Sequence, residues 1–214
     1  ATSQFVHNFQ IPDGVHWSDL RKVSKNVGDQ LQKNLRSIEK ANKKRLYGIF
    51  GDTEWANKDV LSDETIKNLI EDFSSITLTT KIIPDDLMGT GYEYLIKQFA
   101  DDSGHNAAEF YTNRTVVTLM SQILEPQESK TIYDPTCGSG GMLLEAVNFV
   151  KRQGNHMTLK LYGQEKNVTT SGIARMNLLL HGFQDAEIKR GDTLDTPLFL
   201  DESGGLKKFD IILA

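Results

Sequence analysis

Thr131-Ile132-Tyr133-Asp134-Pro135-Thr136-Cys137-Gly138-Ser139-Gly140-Gly141, running on into Met142 to Val150, is the stretch whose reading decides the fold. A short β-rich run ends on an acid, passes through a glycine loop and enters an apolar helix. Glycines let a backbone approach a ligand closely, and the free N–H groups at a helix start favour negative or hydrogen-bonding ligand parts. The pattern Asp-Pro-x-x-Gly-Ser-Gly-Gly has neither the Gly-x-Gly-x-x-Gly spacing of a dinucleotide-binding turn nor the Gly-Lys-Ser/Thr of a phosphate loop. An acid at the strand end would repel a pyrophosphate and suits a cation. The plainer alternative is a glycine-rich turn made for tight packing.

Downstream of the loop the same alternation continues. Leu159 to Tyr162 reads as a strand, Ile173 to Leu180 as a helix, Glu187 to Lys189 as a strand, and Phe209 to Leu213 as a last apolar strand. Strands alternating with helices predict a parallel α/β sheet, with chemistry beyond the carboxyl ends of its strands. Upstream, Thr112 can cap a helix running through Val116, Val117, Leu119, Met120, Ile123 and Leu124 and stopping before Pro126. Further back the chain reads as helical. Val27, Leu31, Leu35 and Ile38 share one helix face. A second helix starts at the cap candidate Ser62 and turns Ile66, Leu69, Ile70 and Phe73 inward. A third starts after Gly89-Thr90-Gly91 and turns Tyr92, Leu95, Ile96 and Phe99 inward. Asp101 to Gly104 reads as a break, so the expected division is a helical region at 1–104 and a sheet-bearing region at 105–214.

Composition bounds the remaining possibilities. The 214 residues are 38% hydrophobic and 25% charged, ordinary globular values that argue against disorder, collagen and coiled coil. No apolar run approaches the roughly 18–20 residues of a membrane helix, and Ala1 to Gln10 has neither a basic nor an apolar leader segment, so the expectation is a soluble cytoplasmic protein without a membrane partner. The lone Cys137 excludes an internal disulfide, and no Cys/His cluster has zinc spacing, so no metal site is expected. The net charge of −5 hides an asymmetry: Leu20 to Leu46 carries nine Lys or Arg against two acids, a local +7. That segment is expected to face DNA or a protein partner, against the alternative of a merely solvated face.

Candidate ligand contacts cluster around the loop. Glu165 follows the second strand, where an acid can accept both ribose hydroxyl hydrogens of an adenosine. Glu109, Phe110 and Tyr111, followed by Thr112, Asn113 and Arg114, set paired aromatics beside a carboxylate, suited to a sulfonium or an adenine face. The rival reading of these aromatics is a hydrophobic staple ahead of the helix cap. Asp192, in Gly191-Asp192-Thr193 after the third strand, could accept from the exocyclic amine of an adenine, or simply shape a polar turn. Cys137 has no His partner and is rejected as a nucleophile. His105, His156 and His181 read as surface residues.

The ordered series Glu-Phe-Tyr-Thr, Asp-Pro-x-Cys-Gly-Ser-Gly-Gly-Met, Tyr-Gly-Gln-Glu, Met-Asn-Leu-Leu-Leu-His-Gly, Gly-Asp-Thr-Leu and Phe-Asp-Ile-Ile-Leu-Ala resembles the amino-methylating DNA methyltransferases. More narrowly, it resembles the modification subunits of type I restriction-modification systems. The likeness runs faintly from Trp17 and closely from Met88 to Ala214.

The resemblance implies an N-terminal helical region followed by the first half of a Rossmann-like class I S-adenosylmethionine-dependent methyltransferase sheet, truncated after its fourth strand. It implies S-adenosyl-L-methionine as cofactor and adenine N6 in double-stranded DNA as methyl acceptor. Implied partners are a specificity subunit, a restriction subunit and a second copy of the methylation subunit. Residue by residue, it assigns Glu109, Phe110, Tyr111, Thr112, Asn113 and Arg114 to the first cofactor motif. Asp134, Gly138, Ser139, Gly140 and Gly141 would lie under the methionine moiety, with Glu165 on the ribose and Asp192 at the adenine edge. Asn113 departs from the proline usual in the family. The Asn-Pro-Pro-Phe or Asn-Pro-Pro-Tyr motif that holds the target adenine has no counterpart here, so no catalytic residue is assigned and the 214 residues alone are expected to be inactive. Rival readings are an NAD-dependent oxidoreductase, a protein-glutamine methyltransferase and a non-catalytic assembly module.

Overall fold

The computed structural model describes residues 9–78, 83, 85–102, 112–154 and 159–214. Two compact units divide the chain, Ala1–Ile82 and Ile83–Ala214.

The first unit is helical: α1 (Trp17–Leu20), α2 (Val27–Ala41), α3 (Lys43–Leu46) and α4 (Asp63–Ser74). Leu20, Val27, Ile66 and Ile70 form its small core, with Val23, Leu31 and Leu61 packed against them. Ser62 caps α4 as expected, its hydroxyl accepting from the Thr65 N–H at 3.1 Å. Leu69 and Phe73, expected inward, are 45% and 46% exposed. A helix this short presents only one narrow face to α2, and Ile66 and Ile70 occupy it. The start of α2 is secured from outside its own sequence. The Asp63 carboxylate accepts from the N–H groups of Asn26 and Val27 at 2.8 and 3.0 Å, charge-assisted bonds at a helix N-terminus.

The second unit opens with α5 (Asp85–Asp102) and α6 (Arg114–Leu124) and continues β1 (Thr131–Asp134), α7 (Gly141–Arg152), β2 (Lys160–Glu165), α8 (Val168–Leu180), β3 (Glu187–Arg190) and β4 (Ile211–Ile212). The strands form one parallel sheet in the order β3-β2-β1-β4, with Asp134 of β1 opposite Gly163 of β2 and Glu165 of β2 opposite Arg190 of β3. Side chains alternate across the strands. Ile132 and Leu161 join Leu143, Leu144 and Val147 of α7 and Ala174 and Leu178 of α8 in the main core. Tyr133 and Tyr162, their neighbours in sequence, turn to the opposite face and meet Phe199 and Phe209 at ring separations of 4.6–5.4 Å. Aromatic side chains from the segment before β4 thus cover that part of the second face.

Several expectations shift. The unit boundary falls at Ile82–Ile83 rather than after Gly104, because α5 packs on α8 and belongs with the sheet. The α5 helix runs through Gly89-Thr90-Gly91 instead of starting after them. Gly89 is needed for close approach: a Cβ there would lie 2.6 Å from the His181 ring. Leu95, expected inward, is 45% exposed, and the side chain of Phe99 lies outside the described ones. The cap of α6 is Asn113, whose side-chain oxygen accepts from the Thr115 N–H at 2.9 Å, rather than Thr112. An Asn cap replaces what a proline at a helix start would supply. The expected last strand shrinks to Ile211–Ile212, since Phe209 stacks on Tyr133 instead of extending the ladder. Asp210 pins that strand to the start of β1, accepting from the Thr131 N–H at 2.9 Å and the Thr131 hydroxyl at 2.7 Å. Those bonds, with help from Lys130, pull its carboxyl down to about 2.

Candidate functional site

The carboxyl end of β1 delivers Asp134 to the base of a cleft. One wall is the glycine loop and the start of α7; the other holds Glu93 and Ile96 of α5 with Thr112, Arg114 and Val117. Gly138 and Gly140 stand at φ of 52° and 80°, the left-handed region that side chains disfavour, which is why the turn needs glycine at both places.

Four neighbours fix the loop. The Asp134 carboxylate accepts from the Thr136 N–H at 3.0 Å, and Glu165 Oε2 accepts from the Gly138 N–H at 3.0 Å. The Cys137 N–H donates to the Gln164 carbonyl at 3.0 Å, and the Asn177 side-chain amide donates to the Ser139 carbonyl at 3.0 Å. The loop is therefore held open from behind, with the α7 N-terminus facing the cleft.

Asp134 is 2% exposed. Burial pushes its carboxyl up to about 7. The Thr136 N–H opposes that rise and the negative Glu165 adds to it. A cleft lined by Asp134 and Glu93, with Glu165 behind the loop, repels a pyrophosphate and attracts a cation. Arg114, ion-paired with Glu93, and the start of α7 supply donors beside those acids. The cleft thus offers both signs to one ligand, as a zwitterionic amino-acid group requires. Cys137 is buried and its thiol is pushed well up by desolvation and by Asp134 and Glu165, consistent with a packing role.

Thr112, Asn113, Arg114, Asp134, Gly138, Ser139, Gly140, Gly141 and Glu165 of the expected site lie around this loop or at the adjoining start of α6. Glu109, Phe110 and Tyr111 lie outside the described residues, as do His105 and His156. Asp192 sits at the end of β3, beside Glu165: the Gly191 N–H donates to the Glu165 carbonyl at 3.0 Å. Its carboxyl is held below the usual range by the Lys166 ammonium at 2.8 Å, and Oδ1 accepts from the Leu194 N–H at 3.0 Å. A carboxylate has more acceptor sites than these bonds use.

Sequence reasoning missed Glu93, Gln164, Asn177 and His181. Gln164 is fully buried; its amide accepts from the Leu198 N–H at 3.0 Å and donates to the Thr196 carbonyl at 2.9 Å, fixing the segment after Asp192. His181 is no surface residue. Its side chain is 7% exposed and Nε2 lies 3.9 Å from Glu93 Oε2. The polar residues in Tyr-Gly-Gln-Glu and Met-Asn-Leu-Leu-Leu-His-Gly, set among apolar neighbours, were the available signal.

Comparison with known proteins bears on the fold and the family. The family profile described as N-6 DNA Methylase matches residues 84–214, and the profile described as HsdM N-terminal domain matches residues 2–73. The HindI methylase subunit, a type I restriction enzyme subunit of Haemophilus influenzae, is 29% identical over 215 residues, covering 96% of this chain and 45% of its own length. The MjaVIII methylase subunit of Methanocaldococcus jannaschii is 36% identical over 134 residues, 60% of this chain and 22% of its own length. A crystal structure of a type I restriction-modification methyltransferase subunit from Streptococcus thermophilus superposes with a TM-score of 0.71 at 28% identity, over 95% of this chain and 44% of that one. The chain thus spans under half the length of these relatives. With the profile covering well over half of its residues, the chain belongs to the N-6 DNA methylase family.

Proposed function

We propose that this chain forms the cofactor-binding side of an S-adenosylmethionine-dependent DNA methyltransferase that modifies the N6 amine of adenine within a type I restriction-modification system. The observation that carries the reading is the glycine loop tied through Gly138 to Glu165, beside a buried carboxyl in a cleft that also holds Glu93 and Arg114. Such a cleft suits a cationic ligand with an amino-acid end and opposes a dinucleotide. S-adenosylmethionine would supply an electrophilic methyl on a sulfonium.

In this reading Glu165 accepts from the ribose hydroxyls with the lone pairs left over from Gly138 and from Asn167, whose N–H donates to Oε1 at 2.7 Å. Asp192 accepts from the adenine amine beside Lys166. Glu109, Phe110 and Tyr111 are assigned to the methionine and sulfonium end by their likeness to the first cofactor motif of the family. The helix-start N–H groups of Gly141 and Met142, with Arg114, meet the carboxylate, while Glu93 and Asp134 meet the ammonium. Transfer to a base flipped out of the duplex then depends on positioning and exclusion of water. The Asn-Pro-Pro aromatic motif that would hold that base is absent from these 214 residues, so methyl transfer is assigned to the whole protein.

Partners in this reading are double-stranded DNA, the specificity and restriction subunits and a second methylation subunit. Among the described residues no helix is long and apolar enough to cross a membrane, and an enzyme acting on bacterial or archaeal DNA belongs in the cytoplasm. Calorimetry with S-adenosylmethionine and NAD side by side tests the proposal. Binding of the former alone is expected; a preference for NAD, or binding of neither, overturns it.

A further inference from the structure

We propose that Asn177 is a positioning residue that selects one orientation of the Ser139–Gly140 peptide, and through it the shape of the seat for the ligand's amino-acid end; this deepens the cofactor reading above. Asn177 is 1% exposed on the inner side of α8, and Ala174 and Leu178 of the same helix belong to the apolar core. Its Nδ2 donates to the Ser139 carbonyl at 3.0 Å, while its Oδ1 has no partner among the described residues. A buried amide with an unpaired oxygen is a cost that leucine, of similar size, would avoid. Core packing alone therefore does not explain the residue, whereas its bond to the loop does.

That bond reaches a peptide of the loop with freedom to turn over. Ser139 lies between Gly138 at φ 52° and Gly140 at φ 80°. Rotating the Ser139–Gly140 peptide changes ψ of Ser139 and φ of Gly140, and glycine accepts either sign of φ. With the carbonyl drawn toward α8, the Gly140 N–H points back to the Cys137 carbonyl at 2.7 Å and α7 begins with its N–H groups toward the cleft. Turned over, that carbonyl would leave Asn177, the Gly140 N–H would lose its acceptor, and the helix start would be disturbed where a ligand carboxylate should dock.

The Asn177 backbone is tied to the residue that caps its own helix. Its carbonyl accepts from the His181 N–H at 3.2 Å and from His181 Nδ1 at 2.9 Å. The His181 ring occupies the space a Cβ on Gly89 would need, and faces Glu93, the partner of Arg114. Residues of α5 and the start of α6 are thus linked through His181 to the end of the helix that carries Asn177.

The test compares the unaltered chain with Asn177→Leu and Asn177→Asp, which keep the number of side-chain heavy atoms and remove the amide donor. Binding of S-adenosylmethionine is read by calorimetry against adenosine, which lacks the amino-acid end. Exchange of the Gly140 and Gly141 amides is read without ligand. Both variants should lose about tenfold in S-adenosylmethionine affinity, the equivalent of one hydrogen bond, keep adenosine affinity, and exchange those two amides faster. Unchanged loop exchange in a folded variant overturns the proposal, as does an equal loss for both ligands. If the unaltered chain binds neither ligand, the cofactor reading fails, and the exchange measurement still decides the role of Asn177. A variant that fails to fold is replaced by Asn177→Ser, judged by the same two readings.

Discussion

Two aspartates, one in each unit, show how the same carboxyl is put to opposite uses. Asp63 of the helical unit is partly exposed at the start of α4. Desolvation pushes its carboxyl up, but the N–H groups of Asn26 and Val27 and the Lys58 ammonium outweigh that and hold it below the usual range. Asp134 of the sheet unit is sealed at the end of β1, and burial, with Glu165 nearby, drives it up to about 7. The first is a charge that the fold welcomes because it completes a helix end. The second is a charge the fold resists unless a cation arrives, which suits the binding role proposed for it.

The largest expected effect tests that contrast at Asp134. Its folded value lies above its ordinary value of 3.8, so the folded chain binds the extra proton. The stability this provides is complete below about pH 4 and is lost as pH rises through about 7, by up to about 4 kcal/mol for the full shift. Melting of the sheet unit should therefore fall over that range. Asp134→Asn should flatten the slope, and saturation with S-adenosylmethionine should reduce it. An equal slope in Asp134→Asn would break the comparison.

Next in size is a change confined to the helical unit. Gly28 lies in α2 where a Cβ would meet the Trp55 carbonyl oxygen at 2.0 Å, a backbone contact that cannot swing aside. Gly28→Ala should destabilise this unit by about 1–3 kcal/mol in denaturant unfolding while leaving cofactor affinity alone. A matching loss of affinity would show that the site depends on the helical unit.

Glu165 sharpens the comparison on the ligand side. Glu165→Ala should weaken S-adenosylmethionine binding about 10- to 100-fold, the range for a lost charged hydrogen bond. Unchanged affinity in calorimetry would reject the ribose assignment. The smallest effect belongs to Asp63. Its lowered value means that the stability it lends is present above its ordinary value and lost as pH falls through its lowered one. Acid unfolding of the helical unit should begin at higher pH in Asp63→Asn, the reverse of the Asp134 signature; coincident acid limbs would remove the distinction.

The sequence by itself determined the alternation of strands and helices, the glycine loop and the acid at the end of β2, because each is written in neighbouring residues. Backbone periodicity, an acid at a strand end and glycine at positive φ are local requirements. It misjudged what depends on distant partners. Gly89-Thr90-Gly91 read as lying ahead of a helix since glycine lowers helix propensity, yet the His181 ring, far along the chain, makes Gly89 necessary inside α5. Thr112 read as a cap, while the carboxamide of Asn113 proved to have the reach. Asn177, Gln164 and Glu93 carry no local pattern that separates them from ordinary polar residues. Only the tertiary structure decided their part, because a buried polar group gains its meaning from the partner that satisfies it, and here those partners are the Ser139 carbonyl, the Leu198 N–H and the Arg114 guanidinium.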